Sequence, residues 1–221
     1  LGRALVEAFR IAAPHALVIA AGYAIVLDAM PLAEAGRWRD VALDLGVGGV
    51  LFGFATFVFV ALFKWLTVRR YQRRAVPMWT PFVWLSEATT NMYEGITVPW
   101  LLRYLRGTPW LSDAFNLLGA HIGRGVYLDT TDITEFDCVH IGDHSELNAA
   151  CCPQTHLFED RVMKIDHVHI GSRVTLGPRC TVLYGAQVGD GAQLGPLTLV
   201  MKGETIPAAT RWRGLPAAPW R

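Results

Sequence analysis

IGSRVTLGPRCTVLYGAQVGDGAQLGPLTLVMKGETI, residues 170–206, decides the fold of this chain. An aliphatic side chain returns at every sixth position: Ile170, Leu176, Val182, Val188, Leu194, Val200 and Ile206. Helical burial repeats near every 3.6 residues and a half-buried strand at every second residue. A period of six belongs to neither and marks a short unit that stacks on itself. Three such units make one coil of a parallel β-helix with three short faces, the aliphatic residues filling its interior. An evenly spaced β-sandwich does not require six. Each coil of such a stack supports its neighbour. Glycine follows four of the aliphatics, at Gly171, Gly177, Gly189 and Gly195. These glycines are expected near corners, where a positive φ is cheap only for glycine or asparagine.

Upstream, the same pairing recurs at Ile122-Gly123, Leu128-Asp129, Ile141-Gly142 and Leu147-Asn148, with a slip of one residue. Between Ala150 and Val168 the rhythm stops. The segment NAACCPQTHLFEDRV (148–162) begins this interruption and carries a histidine between a threonine and an acidic pair. A protruding loop over residues 150–167 is expected, and loops on rigid scaffolds often carry function.

The chain of 221 residues is 52% hydrophobic and only 18% charged, with a mean hydropathy of +0.29. That is high for a soluble β-helix, so another part must be very apolar. Leu45–Phe63 is that part, without a charge, and Ile11–Met30 is a weaker companion. A bilayer span takes roughly 20 such residues. The two read as a transmembrane hairpin over residues 1–74. Two buried helices of a soluble domain are the bland alternative. Arg3 and Arg10 precede the hairpin, and Lys64, Arg69, Arg70, Arg73 and Arg74 follow it, while Arg37 and Arg39 in the connection are offset by Glu34, Asp40 and Asp44. The positive-inside rule then puts both ends in the cytoplasm. Gly49 and Gly53 form a small-xxx-small step that would let the helices approach closely. Residues 75–118, with Trp79, Trp84, Trp100 and Trp110 among prolines, are expected as amphipathic helices at the membrane surface or packed on the first coils. Val98–Arg106 is one such helix. The β-helix is expected over residues 119–216. Because the chain starts at Leu1 rather than Met, it reads as a segment of a longer polypeptide. The net charge of +1 offers no argument for nucleic acid. Cys138, Cys151, Cys152 and Cys180 show no disulfide framework and are expected as free thiols in a reducing compartment.

The stretches NLLGAHIGRGVYLDTTDITEFDCVHIGD, QTHLFEDRV, VMKGETIP and TRWRGLPA resemble the hexapeptide-repeat acyltransferases. More narrowly, they resemble the membrane-associated C-terminal condensing domains of the ε-poly-L-lysine synthetase-like nonribosomal peptide synthetases. The resemblance covers residues 85–216 and supplies the left hand of the β-helix, since parallel crossovers are otherwise usually right-handed. It implies amide-bond formation from an aminoacyl thioester held on phosphopantetheine. That cofactor would sit on a separate carrier domain, loaded by an adenylation domain, neither of which is visible in this sequence. It also implies assembly as threes, either a homotrimer or a pseudo-trimer of sister domains. The resemblance also places a catalytic histidine on such a protruding loop, and the chemistry it would need suggests its partners. His156 is the matching catalytic histidine, and imidazole titrates in the range where an amine must lose a proton. Gln154 or backbone amides would supply oxyanion donors. Asp160 or Glu159 would orient the imidazole or hold a cationic acceptor, with Arg161 pairing to that acidic couple. Glu204 is a candidate amine binder, with surface pairing to Lys202 the simpler account. Arg211, Trp212 and Arg213 are candidates for a phosphate on coenzyme A or a carrier arm, or equally the two arginines are solvated stems around Trp212. Two other readings stay open: a coenzyme A-dependent acyltransferase on an amine or hydroxyl, and a non-catalytic scaffold copy. His140 and His169 are expected outward on the coils, His121, His144 and His167 on surface or loops. No metal is expected, since Cys151, Cys152 and His156 lack a familiar zinc spacing.

Overall fold

A computed structural model describes residues 2–220; the side chains of 2–4, 6, 7, 9–11 and 14 are outside that description. The side chains of Arg3 and Arg10 therefore lie outside the description. The chain divides into two compact units, residues 1–67 with 84–104, and residues 68–83 with 105–221.

The first unit is built on α1 (Gly2–Glu34) and α2 (Trp38–Thr67). Gly36, with φ of +69°, ends α1, and the Arg37 amide reaches back to the Leu32 carbonyl at 2.9 Å. Glycine is the usual residue for this left-handed stop. The apolar runs His15–Glu34 and Trp38–Thr67 are long enough to cross a bilayer. Their apolar side chains point outward: Ile19 is 71% exposed, Leu51 63% and Leu66 80%. A core helix would bury such residues. The helix-packing glycine differs from the expected step. A Cβ on Gly48 would meet Ile25 of α1 at 3.0 Å, whereas one on Gly49 would meet nothing. Gly53 faces another element, since a Cβ there would lie 2.6 Å from the Trp100 carbonyl oxygen. Trp100 ends α4 (Val98–Trp100), which a π-helical turn at Tyr93–Thr97 separates from α3 (Pro81–Met92). Phe52 meets the Trp100 ring edge-on at 5.1 Å. Val98–Arg106 is thus not one helix but α4 followed by a 3-10 turn, Leu102–Leu105, with Leu101 and Leu102 buried.

The second unit opens with β1 (Arg74–Pro77) and α5 (Pro109–Leu117), and then winds. The strands come as β2 (His121–Ile122) and β3 (Tyr127–Leu128), then β4 (Val139–Ile141), β5 (Glu146–Leu147) and β6 (Cys152–Gln154). After an excursion, β7 (His156–Glu159) and β8 (Val162–Ile165), come β9 (Val168–Ile170), β10 (Thr175–Leu176) and β11 (Thr181–Leu183). The series closes with β12 (Gln187–Val188), β13 (Gln193–Leu194), β14 (Leu199–Val200), β15 (Thr205–Ile206), β16 (Arg211–Arg213) and β17 (Ala218–Pro219). From β9 to β16 the chain visits three sheets in rotation. Within each sheet these strands pair in parallel, with aliphatic over aliphatic: Ile141 on Ile170, Leu147 on Leu176, Val182 on Val200. Ile122, Ile141, Leu128, Leu147, Ile170, Leu176, Val182, Val188, Leu194, Val200 and Ile206 are all buried, so the six-residue period is the interior of this winding. Trp212 takes the interior position of the last coil over Leu194, and β17 folds back antiparallel on β16.

The corner lies two residues later than expected. Gly171, Gly177, Gly189 and Gly195 do not have positive φ; the left-handed residue falls three after each aliphatic, as at Arg173, Arg179, Gly191 and Leu197. The glycines serve close approach instead. A Cβ on Gly189 would sit 2.5 Å from the Ala208 nitrogen of the next coil. Stacked backbones leave no room there, so glycine is required by distance rather than by φ.

The interruption is not an irregular loop. β7 and β8 form an antiparallel hairpin, Asp160 and Arg161 being its two-residue turn, and β1 adds to its edge as a third strand. Residues near 74, expected as the end of the membrane hairpin, therefore include a strand of this sheet. The Tyr71 amide donates to Asp137 at 3.1 Å.

Candidate active site

His156 begins β7, at the foot of the hairpin, and its side chain is only 15% exposed. Its Nδ1 lies 2.7 Å from Oε2 of Glu135. Glu135 is nearly sealed, its side chain 1% exposed, and stands in the left-handed region with φ of 40° and ψ of 55°. The same oxygen accepts the hydroxyls of Thr155 at 2.6 Å and Thr134 at 2.8 Å. With Glu135 as a carboxylate, an acceptor only, the imidazole proton sits on Nδ1 and the lone pair on Nε2. A carboxylate placed in this way can fix the tautomer and ring orientation that a general-base histidine needs. Phe158, on the same face of β7, meets the ring edge-on at 5.5 Å.

Gln154 holds the histidine from behind. Its Nε2 donates to the His156 carbonyl at 2.8 Å, and its Oε1 accepts from the Cys152 thiol at 3.1 Å. The structure thus brings His156 and Gln154 together, and adds Glu135, Thr134 and Thr155, which the sequence reading did not single out. Regular coils stack residues 18 positions apart, as Leu176 on Leu194, whereas Glu135 lies 21 positions upstream of His156, so the period alone does not mark it.

The acidic pair is elsewhere. Asp160 is exposed at the hairpin turn, with φ of 52°, beside Arg161 with φ of 61°. Glu159 alternates to the face opposite His156 and is fully engaged. It accepts Lys202 at 2.6 Å, Lys164 at 2.9 Å and the Tyr184 hydroxyl at 3.2 Å. Those two ammonium groups pull its pKa from 4.5 to about 2. The imidazole is instead held by Glu135, one coil below, whose Oε2 lies 2.7 Å from Nδ1. Glu204 accepts the Met201 amide at 2.9 Å, closing its own turn. Arg211, Trp212 and Arg213 lie on the last coil. There the Trp212 Nε1 donates to Thr210 at 2.9 Å, and Arg213 stacks on Trp220 at 5.0 Å. A cleft of about 390 Å³ lies at the first coil, lined by Asp113, Asn116, Arg124 and Asp143 among others, away from the hairpin.

The coil register also stacks three of the histidines. His121, His140 and His169 are consecutive rungs on β2, β4 and β9, with ring centroids 4.6 Å and 4.4 Å apart. His167 joins from the hairpin exit, its Nδ1 2.8 Å from Nε2 of His140. Burial and the three neighbouring imidazoles push His140 down to about 4. All four cysteines are unbridged.

No protein-family model matches the chain. It is 51% identical, over 220 residues, to the delta-poly-L-ornithine synthetase of Acinetobacter baumannii, a match covering 100% of this chain and 16% of that enzyme. Among solved structures it is similar to a hexapeptide-repeat acetyltransferase of Vibrio cholerae, with a TM-score of 0.43 and 16% identity over 54% of this chain and 85% of that one. A galactoside acetyltransferase in complex with coenzyme A gives a TM-score of 0.42 and 18% identity, covering 54% and 76%.

Proposed function

We propose that this chain is an acyl-transferring domain that forms amide bonds between a thioester-bound amino acid and an amine, as one part of a longer membrane-bound synthetase. The observation that carries the reading is the Glu135–His156 pair, braced by two threonine hydroxyls at the foot of a hairpin on a rigid coil. It is supported by the relative at 51% identity, whose name describes a polymer of one diamino acid. Because the chain spans 16% of that relative, activation and carrier loading are assigned to other domains of the synthetase, with phosphopantetheine as the thioester arm. The chain's place among left-handed β-helices, and trimeric or pseudo-trimeric assembly, belong to the same proposal. So does insertion of α1 and α2 in the cell membrane with both ends cytoplasmic.

The chemistry follows from the pair. The acceptor amine attacks the thioester carbonyl, forming a C–N bond, while Nε2 of His156 takes the amine proton. Glu135 holds the tautomer and stabilises the imidazolium that results. As the tetrahedral adduct collapses the C–S bond breaks, and the imidazolium returns the proton to the leaving sulfur. A positioned base of this kind contributes about 10²–10⁴-fold.

The test is turnover of an aminoacyl-pantetheine thioester with free amino acid as acceptor. Detergent-solubilised wild type is compared with His156→Ala, in the presence of carrier and sister domains. Amide formation lost by about 10²-fold or more in the variant is the expected result. Equal, background-level turnover by both proteins would leave a scaffold. Turnover only with free acyl-coenzyme A would replace the carrier by that cofactor.

A further inference from the structure

We propose that His140, His167 and His169 form a binding site for a divalent late transition metal of the zinc class. One ligand atom from each lies within 4.8 Å of the others. Two come from adjacent rungs of one sheet, β4 and β9. The third lies two residues beyond β8, where the hairpin rejoins the coil. A tetrahedral zinc with bonds of about 2.0–2.1 Å needs its nitrogens roughly 3.3 Å apart. The His140–His167 separation of 2.8 Å opens slightly to meet that. The His140–His169 pair, now stacked at 4.4 Å with an interplanar angle of 15°, converges by rotation about χ2, a broad and soft torsion.

The donor set selects the ion. Three neutral imidazoles with no carboxylate among them suit zinc, copper or nickel and offer magnesium and calcium nothing. His169 is exposed and the other two are partly so, which leaves the fourth position open to water. The backbone at His167 is already held in place. Its amide donates to Asp166 Oδ1 at 2.8 Å, its carbonyl accepts Gly185 at 2.8 Å, and Asp166 pairs with Arg73 at 3.2 Å. A bound ion would tie two coils to the base of the hairpin that carries His156. The inference is independent of the acyl-transfer reading, and its test uses no activity.

Metal-free chain, purified without a histidine tag, is titrated with Zn²⁺ alone by calorimetry, and retained zinc is counted after dialysis. One equivalent is expected. His140→Ala, His167→Ala and His169→Ala should each weaken binding by more than the roughly 10–100-fold typical of losing an outer-shell partner. His121→Ala, which removes a stacked ring outside the trio, should keep it. Melting in EDTA checks that each variant folds; should His140→Ala fail, the exposed His169→Gln carries the reading. Substoichiometric zinc, or binding that survives the single substitutions, would overturn the site and leave a histidine stack held by one hydrogen bond.

Discussion

Thr134, Thr155 and His156 all turn toward one oxygen of Glu135. Replacing that oxygen's partner changes which hydrogens the site can hold. Glu135→Gln keeps the shape but offers an amide that also donates, so the imidazole proton is no longer fixed on Nδ1. On the acyl-transfer proposal its kcat should fall by about 10²-fold or more with KM little moved, while Asp160→Ala at the exposed turn should stay within about twofold. Glu159 gives a pH prediction at the same scale. Its folded pKa, near 2, lies below the ordinary 4.5. The stabilisation is therefore complete above about pH 4.5 and disappears as pH falls through 2. Lys164 and Lys202 shift upward for the same contacts, so on the alkaline side the link persists until they deprotonate. Melting temperatures of wild type and Glu159→Gln should differ at pH 7 and converge toward pH 2. The contact is partly exposed, so added salt should shrink the difference.

At the scale of elements, the coils and the hairpin turn obey different constraints. Gly189→Ala drives a Cβ into backbone 2.5 Å away and should cost about 1–3 kcal/mol. Gly191→Ala meets only the Ala209 Cα at 4.0 Å but holds φ at +67°, so it should cost about 1 kcal/mol through conformation alone. Chemical denaturation separates the two. The hairpin turn holds two consecutive positive φ values on Asp160 and Arg161, the requirement of a type I′ turn. Asn and Gly satisfy that requirement best, so Asp160→Asn with Arg161→Gly should raise the melting temperature. The acyl-transfer proposal further expects that exchange to leave turnover intact.

For the whole molecule, α1 and α2 present an outward apolar surface. Side chains such as Leu66, 80% exposed, and Ile19, 71% exposed, make that surface apolar. The proposal of membrane insertion predicts that the chain stays in the pellet through alkaline carbonate and leaves it only with detergent. Recovery in the aqueous fraction would return the two helices to some other partner. The proposed assembly in threes is read by mass measurement in detergent, where a monomer would direct attention to sister domains of a longer chain.

The period of six was legible from Ile170 to Ile206 because interior filling is a local rule, repeated by each coil on its neighbour. The two apolar runs were legible for the same reason, since their composition is written in consecutive residues. His156 and Gln154 stood out by resemblance and by the break in rhythm. Glu135 did not, for its role depends on two chain segments being brought into register one coil apart. The same holds for His140, His167 and His169, which sequence spacing separates and parallel pairing stacks. Glu159 and Asp160 looked suitable because they are near His156 in sequence, yet strand alternation and the turn carry them away. Gly53 likewise matched a helix-pairing motif but lies against Trp100. What the chain states through neighbours in sequence, the sequence alone determined; what depends on which segment stacks on which, only the tertiary structure decided.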